Sequence, residues 1–135
     1  MADLSVPATV APQSNATFSF GTAGEAITAG QPVYVDSTDS NKIKRADADG
    51  TSATAAAKGI AVNSAATGQP VDYQTGGDIN LGATLVRGQV YILSPDKGIS
   101  AAADLANPDY TTILGVAKTY QLLTVKPFAS GAIRA

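Results

Sequence analysis

One short stretch is written twice in this chain, and the doubling constrains the fold more than any other feature. The later copy reads Gly88-Gln89-Val90-Tyr91-Ile92-Leu93-Ser94, and the earlier reads Gly30-Gln31-Pro32-Val33-Tyr34-Val35-Asp36-Ser37. With Pro32 taken as the one extra residue, the copies align from Ile27 and Leu85 through Ser37/Asp39 and Ser94/Asp96. An isoleucine follows each, Ile43 in one and Ile99 in the other, and then a second glycine-led apolar run, Gly59-Ile60-Ala61-Val62 or Gly115-Val116-Ala117. The two glycines are 29 residues apart in the first copy (Gly30 to Gly59) and 27 in the second (Gly88 to Gly115). A third run closes each copy, Val71-Asp72-Tyr73-Gln74 and Leu122-Leu123-Thr124-Val125-Lys126. One such match could arise by chance, but three strands recurring in one order argue for duplication. A repeated unit of this length cannot bury its apolar face alone, and two copies are too few for a solenoid. A closed barrel or sandwich with an approximate internal twofold fits.

Local pattern agrees. Thr17-Phe18-Ser19-Phe20 alternates with the period of a half-buried strand. Lys42-Ile43-Lys44 is a short alternating strand, and Thr111–Lys118 and Tyr120–Lys126 read as longer ones, the last stopped by Pro127 and followed by a tail of small residues. Thr75-Gly76-Gly77-Asp78 reads as a tight hairpin turn, because adjacent glycines reach positive φ at little cost. Ser94-Pro95-Asp96-Lys97-Gly98 is a turn of the proline–glycine kind. Only Ser52–Ala57 and Ala101–Ala106 could make a single helical turn each. Short strands with frequent turns predict an all-β fold, a small jelly-roll-like barrel or sandwich. Residues 16–135 are one domain, of a length that buries one modest core.

Residues 1–15 scatter prolines among small apolar residues without periodicity, and proline favours extended backbone. They read either as a loose terminus or as an extended arm lying on a neighbouring subunit. In the second case the contact residues would be Leu4, Val6, Pro7, Val10 and Pro12.

Composition narrows the function. The chain has no histidine and no cysteine, which removes the commonest general base, metal ligand and nucleophile–base pair. Lys42, Lys44 and Arg45 form the only basic cluster, flanked by Asp39, Asp47 and Asp49, and the net charge is −2, so no nucleic-acid footprint exists. Asp36, Asp39, Asp47 and Asp49 lack the further ligands and spaced glutamate of a calcium loop, and read as turn carboxylates. No metal or cofactor is expected. No 18-residue apolar run suggests a membrane span, and the first residues lack the basic-then-apolar order of a secretory signal. The five tyrosines and three phenylalanines are the only aromatic residues, and the tyrosines read as rim residues with wet hydroxyls.

Three segments together resemble the capsid decoration, or cement, proteins of tailed bacteriophages. They are Gly24–Val35, Gly59–Val71, and Gly88–Ser94 with Ile113–Ala117. The resemblance runs from about Gly24 to Val125. It implies a non-enzymatic structural protein, made in the host cytoplasm, on the outer capsid surface of the virion. Such a protein binds the major capsid protein, joins neighbouring subunits against the pressure of packaged DNA, and acts as a dimer or trimer. Similar glycine–valine repeats occur in phage tail and fibre modules that bind another virion protein or a cell-surface glycan, which is the alternative.

Overall fold

The structure, a computed structural model, describes residues 10–48, 51, 53–94, 98–101 and 110–133, with side chains as far as residue 129. The described residues form ten strands and no helix. They are β1 (Ala11–Pro12), β2 (Thr17–Thr22), β3 (Pro32–Asp36), β4 (Lys42–Arg45), β5 (Gly59–Ala61), β6 (Pro70–Asn80), β7 (Val90–Leu93), β8 (Ile99–Ala101), β9 (Tyr110–Ala117) and β10 (Leu122–Ile133). The fold is all-β: one antiparallel sheet curled into a half-barrel, in the order β4-β3-β5-β6-β10-β9-β7-β8.

That order is the sequence repeat read outward from its middle. The first copy supplies β4-β3-β5-β6 and the second β8-β7-β9-β10, and the copies meet where Ile79 of β6 pairs with Leu123 of β10. Corresponding hydrogen bonds recur. Gly30 N donates to Ala61 O at 2.7 Å and Gly88 N to Ala117 O at 2.8 Å; Ala61 N donates to Gln31 O at 2.9 Å and Ala117 N to Gln89 O at 3.0 Å. Both Gly30 and Gly88 have positive φ, 94° and 83°, where a side chain would be strained.

Register also corrects the alignment. Val33 lies opposite Gly59 and Tyr91 opposite Gly115, while Pro32 lies opposite Ile60 and Val90 opposite Val116. Pro32 is therefore the counterpart of Val90, not an insertion, and Val33 that of Tyr91. Matching the two tyrosines slides the copies one residue out of spatial register, because residue identity at one position weighs more by eye than pairing that only the fold displays.

Two further expectations fail. Gly76-Gly77 is not a hairpin turn: β6 runs through it, with the register stepping from Thr17↔Gly76 to Phe18↔Gln74 at a bulge. Gly77 has φ 80°, and a Cβ there would come 2.3 Å from Asn15 O, so these glycines let the chain between β1 and β2 press onto β6. Pro127 does not end the last strand. β10 continues to Ile133, and Pro127 sits where the β9 register shifts between Val125 and Phe128. A bulge is a place where a residue without an N–H costs no ladder bond.

Two apolar clusters fill the fold. The larger combines both repeats, with Ile60, Ile79, Leu81, Ile92, Leu93, Leu114 and Leu123 around Tyr91. Its close-packed wall is the segment carrying Ala46, Ala48, Ala55 and Ala57, where small side chains admit backbone between strands. Part of that segment is the single turn expected over 52–57: Ala55 N donates to Thr51 O at 3.0 Å. The smaller cluster, with Ile27, Val33, Ile43, Val71 and Tyr73, belongs to the first repeat. The turn at 94–98 and the 101–106 segment lie largely outside the described residues, and Ala101, expected to open a helical turn, instead ends β8 opposite Tyr91.

Candidate interaction surfaces

The core is built from aliphatic residues and tyrosine, and all three phenylalanines of the chain face solvent. Phe18 and Phe20, on β2, are 53% and 79% exposed; Phe128, on β10, is 61% exposed. Residues two apart on a strand share a face, so Phe18 and Phe20 stand side by side. They lie opposite Gln74 and Asp72 of β6, the one buried, the other exposed.

Phe128 borders the second surface. It pairs with Ile113, and with Val116 (42% exposed), Gly115 and Pro127 it lines a shallow, almost wholly apolar hollow of about 330 Å³, rimmed by Thr124 and Lys126. Two further hollows, one polar and one mixed, are smaller. One, of about 250 Å³, lies between Asn80, Thr84, Gln121 and the exposed Tyr120; the other, of about 240 Å³, lies beside Tyr34, Asp36 and Thr54.

Several charged groups hold strands together. Lys44 Nζ lies 2.8 Å from Asp36 Oδ2 and 3.0 Å from Asp39 Oδ2, tying β4 to the end of β3. Hydrogen bonding from Lys44, then from the Thr38 hydroxyl and amide, pulls Asp36 down to about 2, and the same pairing raises Lys44. Two of the four carboxylates read as turn residues, Asp36 and Asp39, thus neutralise a lysine, and Asp49 lies outside the described residues. Asp78, nearly buried on β6, accepts from Lys118 Nζ at 2.9 Å and Thr124 Oγ1 at 2.8 Å, and these bonds, Lys118 first, hold its pKa below the ordinary 3.8. Burial, then the Asp36 charge, raises Tyr34. Among the described residues no three acidic, histidine or cysteine side chains are placed to share a metal ion. No helix among them is long and apolar enough to cross a membrane.

Of the residues read as an anchoring arm, Leu4, Val6 and Pro7 lie outside the described residues. Val10 is half-buried against the larger core, and Pro12 is half-buried in β1 opposite Ile79. The chain from Val10 to Asn15 is thus bound to β6: Gln13 N donates to Asp78 O at 2.9 Å, and Asn15 Oδ1 accepts from Asp78 N at 3.0 Å. Tyr120 is exposed as expected, but three of the five tyrosines differ from the expectation of rim residues. Tyr34, Tyr73 and Tyr91 are buried, and Tyr91 Oη accepts from Val86 N at 3.0 Å. The exposed phenylalanines escaped the sequence reading: alternation says which residues share a face, not which face is covered.

No protein-family model matches this sequence, and no curated protein matches it.

Proposed function

We propose that this protein is a structural virion protein that attaches to the outer surface of an icosahedral phage capsid and cements neighbouring major capsid subunits. The observation that carries the proposal is the solvent-facing placement of every phenylalanine in a chain poor in aromatic residues. A monomer gains nothing from large apolar side chains held in water, whereas a contact surface does. The doubled all-β module and the ordered segment resemblance to capsid decoration proteins support the same reading. Residues Leu4, Val6 and Pro7, which precede the β6-bound stretch, supply the attachment, and hundreds of weak contacts per shell reinforce one another.

Co-sedimentation with expanded, DNA-free shells tests this. Binding should saturate at a fixed ratio to capsid subunits, unassembled subunits should bind poorly, and loaded shells should survive more heat. A lack of saturable binding to such shells would sink the proposal. A second reading, a tail or fibre module recognising glycan, has its own observation in exposed Tyr120 beside the amides of Asn80 and Gln121 and the hydroxyl of Thr84. Glycan-array binding lost in Tyr120→Ala would favour that reading.

A further inference from the structure

The two repeats treat one row of side chains in opposite ways. In the first, Pro32, Ile60 and Gln74 lie side by side across β3, β5 and β6, and all three are buried. In the second, the same row is Val90, Val116 and Thr124 across β7, β9 and β10. Here Val116 is exposed and its two neighbours are only half-buried. The first row is closed within the chain, and its central residue, Ile60, belongs to the cluster that packs the repeats together. In the second row Val90 packs against the larger core, but Val116 and Thr124, with Phe128 beside them, are left open and line the apolar hollow.

We infer that this hollow receives Phe18 and Phe20 of a second copy of the chain, so that copies associate head to tail. The inference rests on the reading of this molecule as a contact protein and names the surfaces involved.

Size fits. A dry cavity of about 150 Å³ accommodates benzene, and the hollow is about 330 Å³, so two phenyl rings are within its capacity. Adjacent same-face residues on a strand stand about 7 Å apart, so both rings can enter one hollow, whose lining includes Phe128, a ring that favours edge-to-face contact. Charge fits as well. Lys126 lines the hollow, and Asp72 is the direct cross-strand neighbour of Phe20. Both are exposed, and neither takes part in an ion pair among the described residues. Docking brings them together at the rim. The contact is also continuous with the one inside the chain: Phe18 stands opposite Gln74 and so ends the first repeat's buried row. Through it, that row would meet the open row of the next molecule. The two surfaces differ, so the interface is heterologous, and it either closes into a ring or grows as an open chain.

Sedimentation of the purified chain, without capsids, tests the inference. The wild type should self-associate with rising concentration. Phe20→Glu and Val116→Glu, both at exposed positions, should each weaken association about tenfold or more while circular dichroism and the denaturation midpoint stay unchanged. Mixing the two variants is the deciding measurement. Each retains one intact surface, so a head-to-tail contact restores a 1:1 pair that stops at two molecules. A twofold contact through either single surface restores no pair. Asp72→Lys and Lys126→Asp should each weaken association, and combining them in one chain should recover it. A wild type that stays monomeric, or a mixture that stays unpaired, overturns the inference. Shell binding is measured separately, so failure of self-association and failure of capsid attachment are told apart.

Discussion

Gly59 lies against the backbone carbonyl of Gln74, so closely that a Cβ there would stand 2.2 Å from the oxygen. Gly115 holds the same relation to Thr124, at 2.1 Å. Each glycine neighbours the residue that pairs with that carbonyl's own residue, Ile60 with Gln74 and Val116 with Thr124. The repeat thus has a steric basis: at this point in each unit adjacent strands approach closer than any side chain permits. Neither obstacle is a side-chain tip that could swing away. Gly59→Ala and Gly115→Ala should therefore each destabilise by about 2–3 kcal/mol, the upper range for overpacking. Gly68→Ala meets nothing within 4 Å but must hold φ 88°, and should cost about 1 kcal/mol. Urea denaturation midpoints of the three variants give the comparison, and equal losses would contradict it.

Asn15 binds the start of the chain to β6 by accepting from the Asp78 amide. Asn15→Ala leaves that amide without its acceptor and should cost about 1 kcal/mol. Deletions locate the boundary. Removing residues 2–9 leaves the contacts of Val10, β1 and Asn15 in place and gives the reference midpoint. Removing 2–15 also strips Val10 from the core, β1 from β6 and the Asn15 bond, and should lower stability by about 2 kcal/mol or more. Weakened capsid attachment in the shorter deletion would then report contact, and in the longer one contact mixed with stability.

Most strands were legible in the sequence, because punctuation by glycine and proline and period-two alternation are local signals; the short β1 and β8 were not. What escaped was decided by tertiary contact. Gly76-Gly77 has the local chemistry of a turn, and only the Asn15 carbonyl pressing on Gly77 explains why it lies inside an eleven-residue strand. Pro127 is a strand-breaker by its missing donor, yet the bulge at that point asks for none. For Phe18 and Phe20, alternation is equally satisfied with the rings inward or outward. The outcome depends on which side of β6 the rest of the chain covers.

Tyr91 and Tyr120 separate a buried hydroxyl from an exposed one. Tyr91 is 3% exposed and its oxygen accepts from Val86 N, whereas Tyr120 is 63% exposed. Tyr91→Phe removes the acceptor of a partly buried amide and should cost about 1 kcal/mol. Tyr120→Phe should stay within about 0.5 kcal/mol of wild type. Thermal melts at neutral pH check the pair, and a neutral Tyr91→Phe would mean that solvent replaces the lost bond.

Acid stability should depend on two carboxylates. Asp36 is held at about 2 against an ordinary 3.8, first by the Lys44 hydrogen bond, then by Thr38. Asp78 is also lowered, first by Lys118, then by Thr124. Both titrate lower in the folded chain than in the unfolded one. From about pH 5 upward both states bind almost no proton at these sites and the stabilisation is complete. Below it the unfolded chain takes up protons first, and the stabilisation fades as pH falls through the folded values. The loss should thus lie mainly between pH 4 and about 2 for Asp36. Asp36→Asn and Asp78→Asn should each be less stable than wild type at pH 6, and the gap should narrow as pH falls across that window. Salt should shrink the Asp36 effect, since its pair is open to solvent screening. Urea midpoints at pH 6, 4, 3 and 2 make the comparison. A gap that stays constant over that range would mean that packing, not charge, is what each substitution removes.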